Sequence, residues 1–128
     1  MSKDLIQILK LHYTGPRRNI GFTFFAVKNE KPIDPFRRIF LYEIDAECIL
    51  ALIRPKYPLT DPESGERIES FDPCWDNPIP KTAWFTILDE LHALQPRDEP
   101  EAAFLTAFKQ WLQQALNLGD YVTVSGNL

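Results

Sequence analysis

Hydrophobic positions along the chain change period several times. A stripe of Leu5, Ile8, Leu9 and His12 at helical spacing predicts a first helix, capped by Ser2 or Asp4, running to about Tyr13 and ended by Gly15-Pro16. From Asn19 to Lys28 the pattern becomes β-like. Ile20, Phe22, Phe24 and Ala26 share one face, and Phe25 and Val27 lie on the other, so this strand is expected to be covered on both sides at least at its end. Asn29 to Pro35 reads as a turn, and a second strand follows to Ile44. An antiparallel hairpin of 19–28 with 36–44 is the simplest pairing.

Asp45-Ala46-Glu47 resembles a helix start, and Cys48 to Ile53 a short buried helix stopped before Pro55; a third strand is the rival, since short apolar runs do not distinguish the two. Residues 54–79 carry no periodic segment of useful length. They hold the turn Asp61-Pro62-Glu63-Ser64-Gly65 and the run Phe71 to Pro78. So long a loop in a compact domain is uncommon and usually functional. Two strong amphipathic helices follow. One starts near Pro80 with Trp84, Ile87, Leu88, Leu91 and Leu94 on its stripe. The other opens at Asp98-Glu99-Pro100-Glu101, with Phe104, Ala107, Phe108, Trp111, Leu112, Ala115 and Leu118 inward, and closes at Gly119. Residues 121–124 form a terminal strand, placed most cheaply at an edge. The expected class is therefore α+β: a small antiparallel sheet (hairpin 19–28/36–44 plus strand 121–124) packed by helices on one side, in a single domain over 1–128.

Composition changes this picture little. The chain has 128 residues, 45% hydrophobic and 25% charged, outside the range of disorder. Two cysteines, Cys48 and Cys74, give no disulfide framework, although one bridge between them is possible. No segment approaches the ~20 apolar residues of a membrane span, and the N-terminal run has no signal-peptide core, so the expected location is the cytoplasm with no membrane partner.

Charge changes it more. The net charge is −4, but residues 1–60 hold ten Lys and Arg against six Asp and Glu, whereas residues 61–101 hold three against eleven. Such a segment repels nucleic acid and attracts a basic protein surface.

The chemistry-bearing residues form no familiar constellation. His12, His92, Cys48 and Cys74 lack the paired spacing of metal ligands. The Asp61–Gly65 turn has its glycine one residue early for a calcium loop and lacks the third acidic ligand. Cys74 lies among carboxylates, which raise a thiol's pKa. Ser64 and Ser125 lack the strand–turn–helix setting of a nucleophile elbow. Pairs such as Asp89-Glu90 and Glu66 with Glu69 read as solvated faces, and no glycine-rich phosphate loop is present. Arg17-Arg18 and Arg37-Arg38 are expected to pair with the protein's own acids. We therefore expect no catalytic residue, no metal and no cofactor.

What remains is an acidic stretch with rings set into it: Asp61, Glu63, Glu66, Glu69, Phe71, Asp72, Trp75 and Asp76. The bland reading is a solvated loop whose aromatics plug into the domain. The functional one is a protein-binding surface, with Trp75 as anchor and the carboxylates steering a basic partner. In size, acidity and architecture, though in no motif, the whole chain resembles the immunity proteins that neutralise bacterial polymorphic or contact-dependent toxins. That resemblance implies stoichiometric occlusion of a cognate toxin domain, often a basic nuclease. Two alternatives stand beside it. One is a structural or regulatory subunit docking through the helix face of Phe104, Phe108 and Trp111. The other is a small enzyme in which His92, Asp89, Cys74 and the arginine pairs converge.

Overall fold

The computed structural model describes residues 6–33 and 38–128. Ser2, Asp4, Leu5, the Asp34–Pro35 end of the turn, Phe36 and Arg37 lie outside the described residues. The elements in order are β1 (Ile6–Leu9), β2 (Gly21–Lys28), β3 (Lys31–Pro32), β4 (Arg38–Tyr42), α1 (Glu43–Ile53), a 3₁₀ turn (Arg54–Lys56), β5 (Leu59–Thr60), β6 (Arg67–Ile68), β7 (Asp76–Pro80), α2 (Lys81–Ala93), α3 (Glu99–Leu118) and β8 (Tyr121–Gly126). The main sheet runs β1-β4-β2-β8-β7, with β3 continuing the β4 side of β2. All of its pairs are antiparallel except β1 with β4.

The three helices cover one face. Phe22, Phe24 and Ala26 of β2, Ile39 and Leu41 of β4 and Val122 and Val124 of β8 point into one cluster with Ile49, Leu50 and Ile53 of α1, Trp84, Ile87 and Leu91 of α2, and Phe108 and Leu112 of α3. Strand alternation explains the selection, because every second residue faces the helices. Trp84 brings a polar atom into this core, and its Nε1–H donates to the Val122 carbonyl at 3.0 Å. The buried indole is therefore satisfied and locks α2 onto β8.

The α+β class, the β2/β4 pairing, a helix over 46–53 and the one-sided helical layer are as the sequence predicts, although α1 already starts at Glu43, where the pattern has the second strand running on to Ile44. Four elements differ. The predicted first helix is, over its described part, the strand β1, parallel to β4 with Ile8 opposite Phe40. Ile-Gln-Ile-Leu is short and β-branched, and pairing with the free edge of β4 overrides its weak helical period. The two sides of the Asn29–Pro35 turn close early: Asn29 (φ 55°) and Glu30 (φ 66°) make a tight two-residue hairpin turn between β2 and β3. Residues 54–79 contain a small hairpin, β5 with β6, and the strand β7. β8 is not at an edge; it lies between β2 and β7. The edge belongs to β7, whose Pro78 and Pro80 are compatible with an outermost position, where an N–H is dispensable.

The chain between β1 and β2 is fixed by one carboxylate. Asp45, in the first turn of α1 and only 1% exposed, accepts from the backbone N–H of Leu11 (3.0 Å), His12 (2.6 Å) and Tyr13 (3.2 Å). Replacing Asp45 with Asn sets an amide donor against one of these N–H groups. We expect a loss of about 2 kcal/mol in urea denaturation, with faster amide exchange at residues 11–13; unchanged exchange there would exclude the anchoring role.

Tyr57 is a second buried polar group, but its hydroxyl has no partner. Burial pushes its pKa from 10.0 up to about 12. The folded state thus holds this proton more firmly than the unfolded chain, so the contribution is intact below pH 10 and is lost as pH rises through about 12. Tyr57→Phe is expected to leave stability unchanged or raise it by about 1 kcal/mol at neutral pH, and to flatten the decline in thermal midpoint in that alkaline window.

Candidate functional site

The acidic stretch divides into two rigid pieces. The first is the β5/β6 hairpin. Asp61 is its turn former: Oδ1 accepts from the N–H of Glu63 (2.8 Å) and Ser64 (3.2 Å), while its carbonyl accepts from Gly65 and its N–H donates to the Glu66 carbonyl. An Asp at a turn start satisfying the following N–H groups is the local reason this segment folds back. Glu69 is exposed and paired with Arg67. Glu63 reaches across to the main sheet, where it accepts from the Tyr121 hydroxyl.

The second piece is the turn from Phe71 to Asn77. Phe71 is half-buried, tilted against Phe22 (5.9 Å between centroids) and edge-on to Tyr57 (6.3 Å), so this ring plugs into the domain. Asp72 Oδ1 accepts from the Cys74 N–H at 2.9 Å. Asn77, 3% exposed, does most of the holding. Its Oδ1 accepts from the Asp72 N–H at 2.7 Å, and its Nδ2 lies within hydrogen-bond reach of the carbonyls of Asp72 (2.7 Å), Trp75 (3.1 Å) and Val124 (3.1 Å). From the other side the Gly126 N–H donates to the Trp75 carbonyl at 3.0 Å. Gly126 is needed for this approach, since a Cβ there would collide with the Pro73 carbonyl and the Phe22 ring. The outcome is an indole, Trp75, 72% exposed on a backbone tied down at both ends. It is the most exposed of the large hydrophobic side chains among the described residues.

Among the described residues, no ion pair involves Asp61, Glu63, Glu66, Asp72 or Asp76. Arg18 and Arg38 are engaged elsewhere, contrary to the expectation that they neutralise the protein's acids. Arg18 lies over the Tyr13 ring (5.3 Å) and Arg38 over the Phe25 ring (4.7 Å). Tyr13 in turn stacks on Tyr42 at 3.9 Å. Guanidinium groups held by aromatic faces leave the carboxylates uncompensated.

Two hollows adjoin the stretch. One, of about 590 Å³, lies between the β5/β6 turn and the start of α2, lined by Pro58, Asp61, Glu63, Ser64, Pro80 and Thr82 among others. The other, of about 330 Å³, lies on the helix-free face of the sheet and brings Glu63 and Asp76 together with Glu30, Phe25, Tyr121 and Thr123. Sequence reasoning missed these last four. For Phe25, Tyr121 and Thr123 the signal is strand alternation, and the β2/β8 register puts Phe25 opposite Thr123 and Val27 opposite Tyr121 on the face away from the helices.

The remaining candidates separate. Phe104, Phe108 and Trp111 are buried at 4%, 0% and 6% exposure in the protein's own core, so that helix face is already covered and the docking alternative built on it fails. Cys48 and Cys74 are unpaired. Burial, with Glu101 nearby, pushes the Cys48 thiol pKa up. Among the described residues, no hydrogen bond or ion pair joins Cys74, Asp89 and His92, and no three His, Cys, Asp or Glu are grouped so as to hold a metal. No helix among them is long and apolar enough to cross a membrane. No protein-family model matches the chain, and neither the curated proteins nor the solved structures give a match.

If Asn77 is the hub of the Trp75 turn, Asn77→Ala strands the Asp72 N–H and takes one of their donors from the Asp72 and Trp75 carbonyls. It is expected to cost about 3 kcal/mol in urea denaturation and to increase acrylamide-independent mobility of the indole, read as lower fluorescence anisotropy. A loss below about 0.5 kcal/mol, the scale of an inconsequential surface change, would show that the turn holds itself.

Proposed function

We propose that this chain is a protein-binding domain that engages a basic partner through Trp75 and the carboxylates around it. In its specific form the partner is a cognate toxin domain, and the chain is an immunity protein acting in the cytoplasm by stoichiometric occlusion, without turnover. The observation that carries the reading is the exposure of Trp75 on a fixed backbone. A large apolar ring in water is unfavourable, and here the fold spends a fully satisfied buried amide on holding it there. Pre-ordered aromatic anchors bind well because little freedom remains to be lost on association.

Charge supports the same partner class. Glu63, Glu66, Asp72 and Asp76 are exposed, and none is in an ion pair among the described residues. Asp61 and Phe71 belong to the scaffold of this surface, and Glu69 is shared with Arg67.

The test is a triple variant, Trp75→Ala with Asp72→Asn and Asp76→Asn, assayed against the toxin encoded beside the chain's gene. The amide of Asn keeps the acceptor that Asp72 offers Cys74, so the variant is expected to fold. Its affinity should fall at least ~30-fold, the scale of a lost aromatic hot spot, with reduced protection of toxin-expressing cells. Wild-type binding should also weaken steeply from low to physiological salt. Unchanged protection by the triple variant at equal dose would put the contact elsewhere.

A further inference from the structure

The groove on the helix-free face has a lining that the Trp75 surface does not account for. Its floor is Phe25, Val27, Tyr121 and Thr123, its walls include Pro32 and Pro78, and Glu30, Glu63 and Asp76 supply carboxylates. None of those three carboxylates is in an ion pair among the described residues. Glu63 is held by the Tyr121 hydroxyl, which fixes one side of the groove. Thr123 is the independent sign of a ligand. It is only 5% exposed, it lines the groove while its neighbours Val122 and Val124 face the core, and its hydroxyl makes no hydrogen bond among the described residues. A nearly buried, unpartnered hydroxyl in a hollow is a group waiting for a donor or acceptor.

We propose that this groove takes one lysine or arginine side chain of a basic protein partner. This rests on the proposed function for the partner's basic character. Aromatic and proline walls suit the methylene stem of such a side chain. The carboxylates suit its cationic head, and the Thr123 oxygen accepts from one of its N–H groups. A volume of 330 Å³ accommodates a single long side chain and is small for a folded segment. The positive groups around the groove leave room for it. Arg38 comes from β4 and is held over the Phe25 ring at 4.7 Å, and no β4 residue lines the groove. Lys28 and Lys31 are paired across the β2/β3 turn, and alternation from Val27 and Pro32 directs both to the opposite face.

Glu30 makes the proposal testable without risk to the fold. It has φ 66°, a left-handed conformation that costs an L-residue energy and glycine almost none. Glu30→Gly removes the carboxylate and relieves the turn.

The experiment titrates the ¹⁵N-labelled full chain with N-acetyl-arginine methylamide, and separately with the uncharged norleucine compound. Saturable shifts are expected at the amides of Phe25, Thr123 and Asp76 with arginine and none with norleucine. Glu30→Gly and Asp76→Asn should each weaken arginine binding about threefold to fivefold, and Glu30→Gly should have a thermal midpoint no lower than wild type. Unsaturable shifts spread over the acidic surface, equal response to norleucine, or unchanged affinity in both variants would overturn the proposal. No toxin enters this assay, so the two readings fail separately. Arginine binding in a chain that gives no protection removes the immunity reading alone, and protection without groove binding removes this site alone.

Discussion

The side chain of Asn77 satisfies main-chain groups of Asp72, Trp75 and Val124 at once, from a position 3% exposed to solvent. A buried amide is tolerated only when its capacity is filled, and a filled one fixes every segment it touches. Here it joins the Phe71–Asn77 turn to β8, the strand through which Trp84 also ties α2 to the sheet. The exposed indole is therefore mechanically continuous with the core. An aromatic on a free loop would fold back onto apolar surface; this one is kept from doing so.

A second constraint concerns which groups are allowed to neutralise each other. Phe25, Phe40, Tyr42 and Tyr13 lie on or against the sheet face that the helices leave bare, and Arg18 and Arg38 cover two of these rings. Cations spent on rings are not spent on carboxylates. The ion pairs that do form among the described residues, such as Lys56 with Glu90 and Arg97 with Glu101, lie outside the 61–76 stretch apart from Arg67 with Glu69. The uneven charge along the sequence thus survives folding as an uneven surface, which is the condition for steering a basic partner.

Legibility in the sequence followed the length and regularity of each segment. The stripes from Trp84 to Leu94 and from Phe104 to Leu118 specify α2 and α3, since several turns of consistent period leave one solution, although their last members, Leu94 and Leu118, are exposed. β1 and β7 were not readable for opposite reasons. Ile6–Leu9 carries too few residues to distinguish periods, and its partner β4 decides. Asp76–Pro80 carries two prolines that argue against any interior strand, and only the existence of an outer position beyond β8 makes it one. The acidic stretch was visible from composition, and Trp75 stood out within it. The roles inside it were not. Asp61 and Asp72 spend carboxylate oxygens on their own turns, and Phe71 is packed on Phe22, because local hydrogen bonding and three-dimensional proximity decide these and composition does not. Glu30, Tyr121 and Thr123 come from segments far apart in sequence and meet only through strand register.

The strain at Glu30 bears on how such a surface arises. A tight hairpin turn of this kind prefers Asn-Gly, and this chain has the Asn at position 29 but a glutamate where glycine would be most at ease. The turn is held by other means: the Asn29 N–H donates to Asp120 at 3.0 Å and the Asp120 N–H to the Val27 carbonyl at 2.7 Å, which staples it to the loop between α3 and β8. Stability alone gives no reason to keep a carboxylate at a position that glycine would relax. A negative group at the mouth of a hollow lined by Phe25 and Tyr121 does give one, because a conformational cost that the rest of the fold supports is characteristic of residues kept for what they contact. The exposed Trp75 and the strained Glu30 are the same kind of departure: each runs against what the folded chain prefers in water, and each is compensated by a hydrogen-bonded partner elsewhere in the structure.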